Sequence, residues 1–155
     1  MDTKLYSVEV NHILKAYGDR AVVNDLSFKV KPGEIFGLIG PNGAGKTTTI
    51  RMMMDIIKPD SGDVSILGEK LTEATKNKIG YLPEERGLYK KLSVIDSLIY
   101  FASLKGIEPQ TARKRAGELL KKVEMLAHQN KKIEELSRGM GQIVQVIVTI
   151  IHDPQ

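Results

Sequence analysis

Gly40-Pro41-Asn42-Gly43-Ala44-Gly45-Lys46-Thr47 follows the pattern G-x-x-x-x-G-K-[ST], and Thr48 continues it. A triphosphate needs many hydrogen-bond donors close together. Backbone N–H groups supply them where the chain can wrap tightly, and glycine permits that approach. A helix opening at Lys46 would aim the partial positive charge of its N-terminus at the phosphates. Lys46 reaches the β- and γ-phosphates as a mobile point charge. The Thr47 hydroxyl is placed to ligate Mg²⁺, which also binds phosphate oxygens. The spacing therefore predicts a nucleoside-triphosphate cradle over residues 40–48. A plain glycine-rich turn is the alternative, but it gives no reason for an apolar strand before the loop and a helix after it.

The flanking pattern supplies those elements. Leu5–Val10 alternates, with Tyr6, Val8 and Val10 on one face, and Leu26–Val30 alternates in the same way. Lys31-Pro32-Gly33-Glu34 is a turn. Ile35–Ile39 is a continuous apolar run, expected as a strand buried on both faces. A helix from Lys46 carries Ile50, Met53, Met54 and Ile57 at helical spacing and stops at Lys58-Pro59-Asp60-Ser61-Gly62. Met52–Met54 read as helix filling, not as a ligand set. Asp63–Leu67 and Ile79–Leu82 are expected as two further strands. From Ser93 the character changes. Ser93 and Asp96 form a capping pattern for a helix over Val94–Lys105, ended by Gly106. Pro109 suits the first turn of a helix running to about Met125. Ser137 caps a last helix ending near His152, although its β-branched residues oppose that on propensity.

Bulk properties limit the function classes. The 155 residues are the size of one domain, with 41% hydrophobic and 27% charged residues, ordinary for a globular chain. Neither Ile35–Ile39 nor Ile143–Ile151 is long enough to cross a bilayer, and MDTKLYSVEV lacks a signal-peptide layout. There are no cysteines, so no disulfide or thiolate-metal framework exists, which suits a reducing cytoplasm. The net charge of +4 comes largely from residues 105–132. Without interleaved aromatics, these basic residues read as solvated helix faces, and no nucleic-acid partner is expected. His12, His128 and His152 lack metal-ligand spacing.

These motifs together resemble the nucleotide-binding domain of ABC transporters, essentially from Leu5 to the last residue. The wording of the loop Gly40–Thr48 is typical of that family, and the resemblance implies ATP and Mg²⁺ as its ligands. Lys15-Ala16-Tyr17-Gly18 is similar to the adenine-stacking segment, which implies that the Tyr17 ring lies against the base. Leu136-Ser137-Arg138-Gly139-Met140 is similar to the signature Leu-Ser-Gly-Gly-Gln, with Arg138 in place of a glycine and Met140 in place of the glutamine. The resemblance implies that this segment, at a helix N-terminus, contacts the γ-phosphate of ATP held by a second subunit, through the Ser137 hydroxyl and the Gly139 N–H. Ile79-Gly80-Tyr81-Leu82-Pro83-Glu84-Glu85-Arg86-Gly87-Leu88-Tyr89 resembles the bacterial sodium- or drug-extrusion type. Glu84 stands where most relatives have Gln. A carboxylate is still a hard oxygen ligand, so Mg²⁺ contact by Thr47 and Glu84 is expected. In the family this segment also meets the membrane partner.

The resemblance implies an α/β phosphate-loop NTPase fold of the ABC type, incomplete at the C-terminus. Residues 1–83 would form the β and phosphate-loop core, 84–136 the region around Glu84 and a helical subdomain, and 137–155 the signature and its helix. The family's next strand, with its Mg²⁺-supporting Asp, catalytic Glu and later switch histidine, has no counterpart in the sequence. The expectation is therefore a fragment of a longer protein, with a naturally short protein as the alternative. Such a chain would be weak in hydrolysis and would leave apolar surface uncovered. The expected function is the ATP-binding subunit of an exporter, working as a head-to-tail dimer with a separate membrane permease, at the cytoplasmic face of the membrane. The competing reading is a non-hydrolytic nucleotide-binding module. A GTPase is disfavoured by the lack of an Asn-Lys-x-Asp motif, and a kinase by the signature segment.

Overall fold

A computed structural model describes residues 6–84 and 87–155. Leu5, where the sequence places the start of the first strand, and Glu85-Arg86 lie outside the described residues. The chain forms two compact units, Met1–Lys76 and Asn77–Gln155.

In the first unit the strands β1 (Val8–Tyr17), β2 (Arg20–Val30), β3 (Ser61–Ile66) and β4 (Glu69–Lys70) form an antiparallel sheet in the order β2-β1-β3-β4. Both hairpin strands extend beyond their alternating stretches. The two-residue turn at Gly18, with φ +60°, lets Tyr17 pair with Arg20. Irregularities in register between Val10 and Ala16 break the period of two. At two of the bulged positions, His12 and Asp25 take positive φ, and their side chains meet at 2.6 Å. Val10, Ile13 and Val23 are buried with Met52 of α1 (Lys46–Met53), and Val8, Phe28, Ile57 and Val64 pack around them. This burial places the helix of the glycine-rich loop on the sheet. A short helix α2 (Glu73–Lys76) follows β4.

The strand expected over Ile35–Ile39 does not form. The segment joins no ladder among the described residues, and Ile35 and Ile39 are almost fully exposed. A strand buried on both faces needs a hydrogen-bonded neighbour and two covering layers. None of β1–β4 pairs with it; Phe36 stacks instead on Phe28, with centroids 4.8 Å apart.

The second unit is helical: α3 (Val94–Leu104), α4 (Pro109–Lys122) and α5 (Arg138–Ile150). Its core combines Val94, Leu98 and Ala102 with Ala112, Ala116 and Leu120 and with Val144, Ile147 and Ile151. The small residues Ala112 and Ala116, four apart on α4, allow close helix approach. Ser93 caps α3 by accepting from the Asp96 N–H, and Gly106, at φ +77°, ends it. Pro109 does open α4, but the cap itself is Glu108, whose carboxylate accepts from the Gln110 and Thr111 N–H groups. Despite its β-branched residues α5 is helical, because burial of one face outweighs propensity differences of a few tenths of a kcal/mol per residue.

The strand expected over Ile79–Leu82 is also absent. The segment is held by the end of α5 instead. The Lys78 carbonyl accepts from the Gln155 N–H at 2.8 Å, and the Ile79 carbonyl lies 3.0 Å from His152 Nε2. Gly80 packs so closely that a Cβ would stand 2.7 Å from the Thr149 carbonyl oxygen. With its carbonyls used this way, the segment follows the helix terminus and builds no ladder.

Candidate functional site

The glycine-rich loop is shaped by a turn hydrogen bond, two left-handed glycines and a close approach to β2. The Ala44 N–H donates to the Pro41 carbonyl at 3.2 Å, closing a tight turn. Gly43 and Gly45 have φ of +79° and +87°, the left-handed region that glycine enters without strain. At Gly45 there is a second constraint: a Cβ would meet the Val22 carbonyl oxygen at 2.5 Å and Val23 Cγ2 at 3.0 Å. Glycine at this position therefore lets the loop lie directly on β2.

Lys46 begins α1 and folds back over the loop. Its Nζ donates to the carbonyl oxygens of Gly40 at 2.7 Å and Pro41 at 2.8 Å. Thr49, buried, donates its N–H to the Gly45 carbonyl at 2.8 Å and starts the helical ladder. The N-terminus of α1 has no side-chain cap and no acidic residue in its first turn. The leading N–H groups of a helix have no intrahelical acceptor and carry its positive end. Together with the Lys46 ammonium they make a site suited to an anion. The Thr47 side chain belongs to an exposed residue of that first turn, while Thr48 is half-buried. Pro41, Asn42 and Ala44 are exposed. These residues fit a magnesium–triphosphate group: left-handed glycines turn the loop, the first turn of α1 holds no acidic residue, and a hydroxyl and an ammonium stand at the loop's end.

Tyr17 ends β1 with 53% of its surface exposed, and Lys15 Nζ stands 5.7 Å from its ring centroid. Lys15 is itself bound to Asp60, at 2.6 Å, and the Ala16 N–H donates to the other carboxylate oxygen at 2.8 Å. Sequence reasoning missed this clamp. Asp60 reads locally as a turn residue, and its partners lie 44 and 45 positions away.

In the second unit, Ser137 caps α5: its Oγ accepts from the Met140 N–H at 3.3 Å, and its carbonyl from the Gly141 N–H at 3.0 Å. Arg138 and Gly139 are exposed, and nothing lies within 4 Å of where a Gly139 Cβ would be. Leu136 and Met140 pack against the helical core. The Met140 side chain is thus used for packing, where the Gln implied by the resemblance would be polar. The approach to Ser137 is fixed by backbone bonds from Val94 to Lys131, Ile95 to Gln129 and Ile133 to Leu92. Glu84 is exposed at a bend after Pro83. Next to it, Tyr81, Leu82, Leu88, Phe101, Val148 and Thr149 line a cavity of about 250 Å³. Of the sequence-predicted positions, Tyr17 and residues 40–48 belong to the first unit, and Glu84 and residues 137–140 to the second. No helix among the described residues is long and apolar enough to cross a membrane.

A glycine-rich loop that lies on a β-sheet and opens into a helix N-terminus suited to an anion is the arrangement of nucleotide-binding α/β proteins. The particular family follows from comparison with known proteins. Residues 23–155 match the family model described as ABC transporter, and the chain belongs to that family. It is 43% identical over 146 residues to the uncharacterized ABC transporter ATP-binding protein YhaQ of Bacillus subtilis, covering 94% of this chain and 49% of that protein. It is 38% identical to the linearmycin resistance ATP-binding protein LnrL of the same organism, covering 96% of this chain and 49% of that protein. A solved structure described as the ATP binding subunit of an ABC transporter superposes with a TM-score of 0.83 at 29% identity, covering 95% of this chain and 62% of the other. The chain spans about half the length of the curated relatives it matches.

Proposed function

We propose that this chain is the ATP-binding part of an ABC exporter, holding Mg-ATP in the loop Gly40–Thr48. The observation that carries the reading is the loop itself, with Gly45 pressed onto β2 and Lys46 folded over Gly40 and Pro41 at the uncapped start of α1. Lys46 neutralises phosphate charge, and the helix N-terminus and loop N–H groups orient the triphosphate. Thr47 supplies an oxygen ligand to Mg²⁺. Tyr17 presents an exposed ring to the adenine, a contact that tolerates rotation of the base.

Ser137 and the exposed backbone at Arg138 and Gly139 face a different nucleotide, the one held by a second subunit in a head-to-tail dimer, and Met140 fixes the helix that carries them. ATP binding and hydrolysis by the whole protein then move a separate membrane permease, docked beside Leu82 and Phe101 at the cytoplasmic face of the membrane. Linearmycin resistance, printed in the name of one matched relative, supports the export reading. Titrating the chain with Mg-ATP tests the binding claim: saturation at micromolar to millimolar ATP supports it, and no saturation contradicts it. Ultracentrifugation with and without ATP tests the second-subunit claim. It predicts an ATP-dependent dimer that is lost in Ser137→Arg.

A further inference from the structure

We propose that Asp60 is a positioning residue for the base platform at Tyr17, clamping the end of β1 so that the ring is presented to a nucleobase in one orientation. The inference rests on the reading of Tyr17 as the adenine-stacking residue.

Asp60 engages three consecutive residues immediately before Tyr17. Its N–H donates to the Leu14 carbonyl at 2.8 Å, one carboxylate oxygen takes the Lys15 ammonium at 2.6 Å, and the other takes the Ala16 N–H at 2.8 Å. Backbone donor, backbone acceptor and charge are thus all held by one residue. The carboxyl is kept below its ordinary value of 3.8, first by the Lys15 hydrogen bond and then by the Ala16 N–H, so it is ionised at neutral pH. Lys15 is pulled in with its side chain only 16% exposed, and the same ammonium stands 5.7 Å from the Tyr17 ring centroid. Without Asp60 the lysine has no anchor beside the ring, and the Ala16 N–H loses its acceptor. The residues after Asp60 lie against β1, where Ser61 pairs with Leu14 and a Cβ on Gly62 would be 2.3 Å from the His12 carbonyl oxygen.

The placement also links the two ends of a nucleotide site. Asp60 follows α1 by a short turn, and α1 begins at Lys46 in the phosphate loop. One continuous segment, residues 40–60, therefore carries the phosphate cradle at its start and the clamp on the base platform at its end. A residue that only fastened the sheet would affect base and phosphate binding alike, whereas a positioning residue affects the base alone.

That difference gives the test. Affinities of Mg-ATP and of Mg-tripolyphosphate, which has no base, are measured on the full chain for wild type, Asp60→Ala, Asp60→Asn and Tyr17→Ala. Asp60→Ala is expected to weaken Mg-ATP about threefold to tenfold, the scale of one oriented aromatic contact, and to leave Mg-tripolyphosphate unchanged. Asp60→Asn keeps an acceptor for Ala16 but loses the negative charge that holds Lys15, and is expected to fall between; it carries the comparison if Asp60→Ala does not fold. Adding Asp60→Ala to Tyr17→Ala is expected to cost nothing further. Equal losses for both ligands, or no loss for either, overturn the inference. If Tyr17→Ala weakens Mg-ATP while neither Asp60 variant does, the clamp alone is overturned. If Tyr17→Ala leaves Mg-ATP unchanged, the stacking reading falls and the clamp with it.

Discussion

A methyl group on Gly45 would lie 2.5 Å from the Val22 carbonyl oxygen, so the glycine-rich loop and strand β2 are in backbone contact where the helix begins. Gly43, two residues earlier, also has a positive φ but has open space around it. The two glycines therefore separate conformational strain from steric fit. Gly43→Ala is expected to cost about 1 kcal/mol, the penalty of a left-handed alanine. Gly45→Ala adds a clash with backbone and is expected to cost about 2–4 kcal/mol, with loss of Mg-ATP binding. Urea unfolding of the two variants checks the order; equal costs would contradict the contact.

Ser137 is expected to contribute as a helix cap as well as a ligand group. Ser137→Ala removes the acceptor for the Met140 N–H and should destabilise the helical unit by about 1 kcal/mol, while Ser137→Asp should retain most of that stability. Thermal unfolding followed by circular dichroism reads the difference. If Ser137→Ala unfolds at the wild-type temperature, Ser137 has no capping role.

The first unit should lose stability at both extremes of pH. Asp55 is held below 3.8 first by its hydrogen bond from Lys58, and Asp60 first by Lys15. Groups depressed on folding stabilise the native state above their unfolded value, and that contribution disappears as the pH falls below about 4. Lys76 is raised above 10.5, chiefly by its hydrogen bond to Glu73. Its contribution is complete below 10.5 and is lost as the pH rises beyond it. Urea midpoints at pH 3, 7 and 11 should be highest at pH 7. In Asp55→Asn the fall from pH 7 to pH 3 should be smaller, and an unchanged fall would remove Asp55 from the account.

What was legible in the sequence was what short-range chemistry dictates. The caps at Ser93 and Ser137, the stop at Gly106 and the proline start of α4 depend on neighbours within four residues, and all four form; the turn through Gly43–Gly45 and the helix from Lys46 form too. The family likeness was readable too, because it rests on motif wording, and residues 23–155 bear it out. Strands were harder. Ile35–Ile39 and Ile79–Leu82 have strand composition, but a strand exists only with a partner; the first finds none among the described residues, and the second is taken up by the end of α5. The outer halves of β1 and β2 were hidden by bulges at His12 and Asp25, which shift the alternation. The Lys15–Asp60 clamp was invisible because it joins residues brought together only by the sheet.

The central claim is that the loop Gly40–Thr48 binds the triphosphate through Lys46. Its most direct test is a calorimetric titration of the full chain with ATP, with and without Mg²⁺, beside Lys46→Ala. Replacing the ammonium removes charge-assisted hydrogen bonds of about 1.5–3 kcal/mol, so Lys46→Ala should bind Mg-ATP about 10- to 100-fold more weakly while keeping its fold. Undiminished affinity in folded Lys46→Ala, or no Mg-ATP binding by the wild-type chain, would contradict the account.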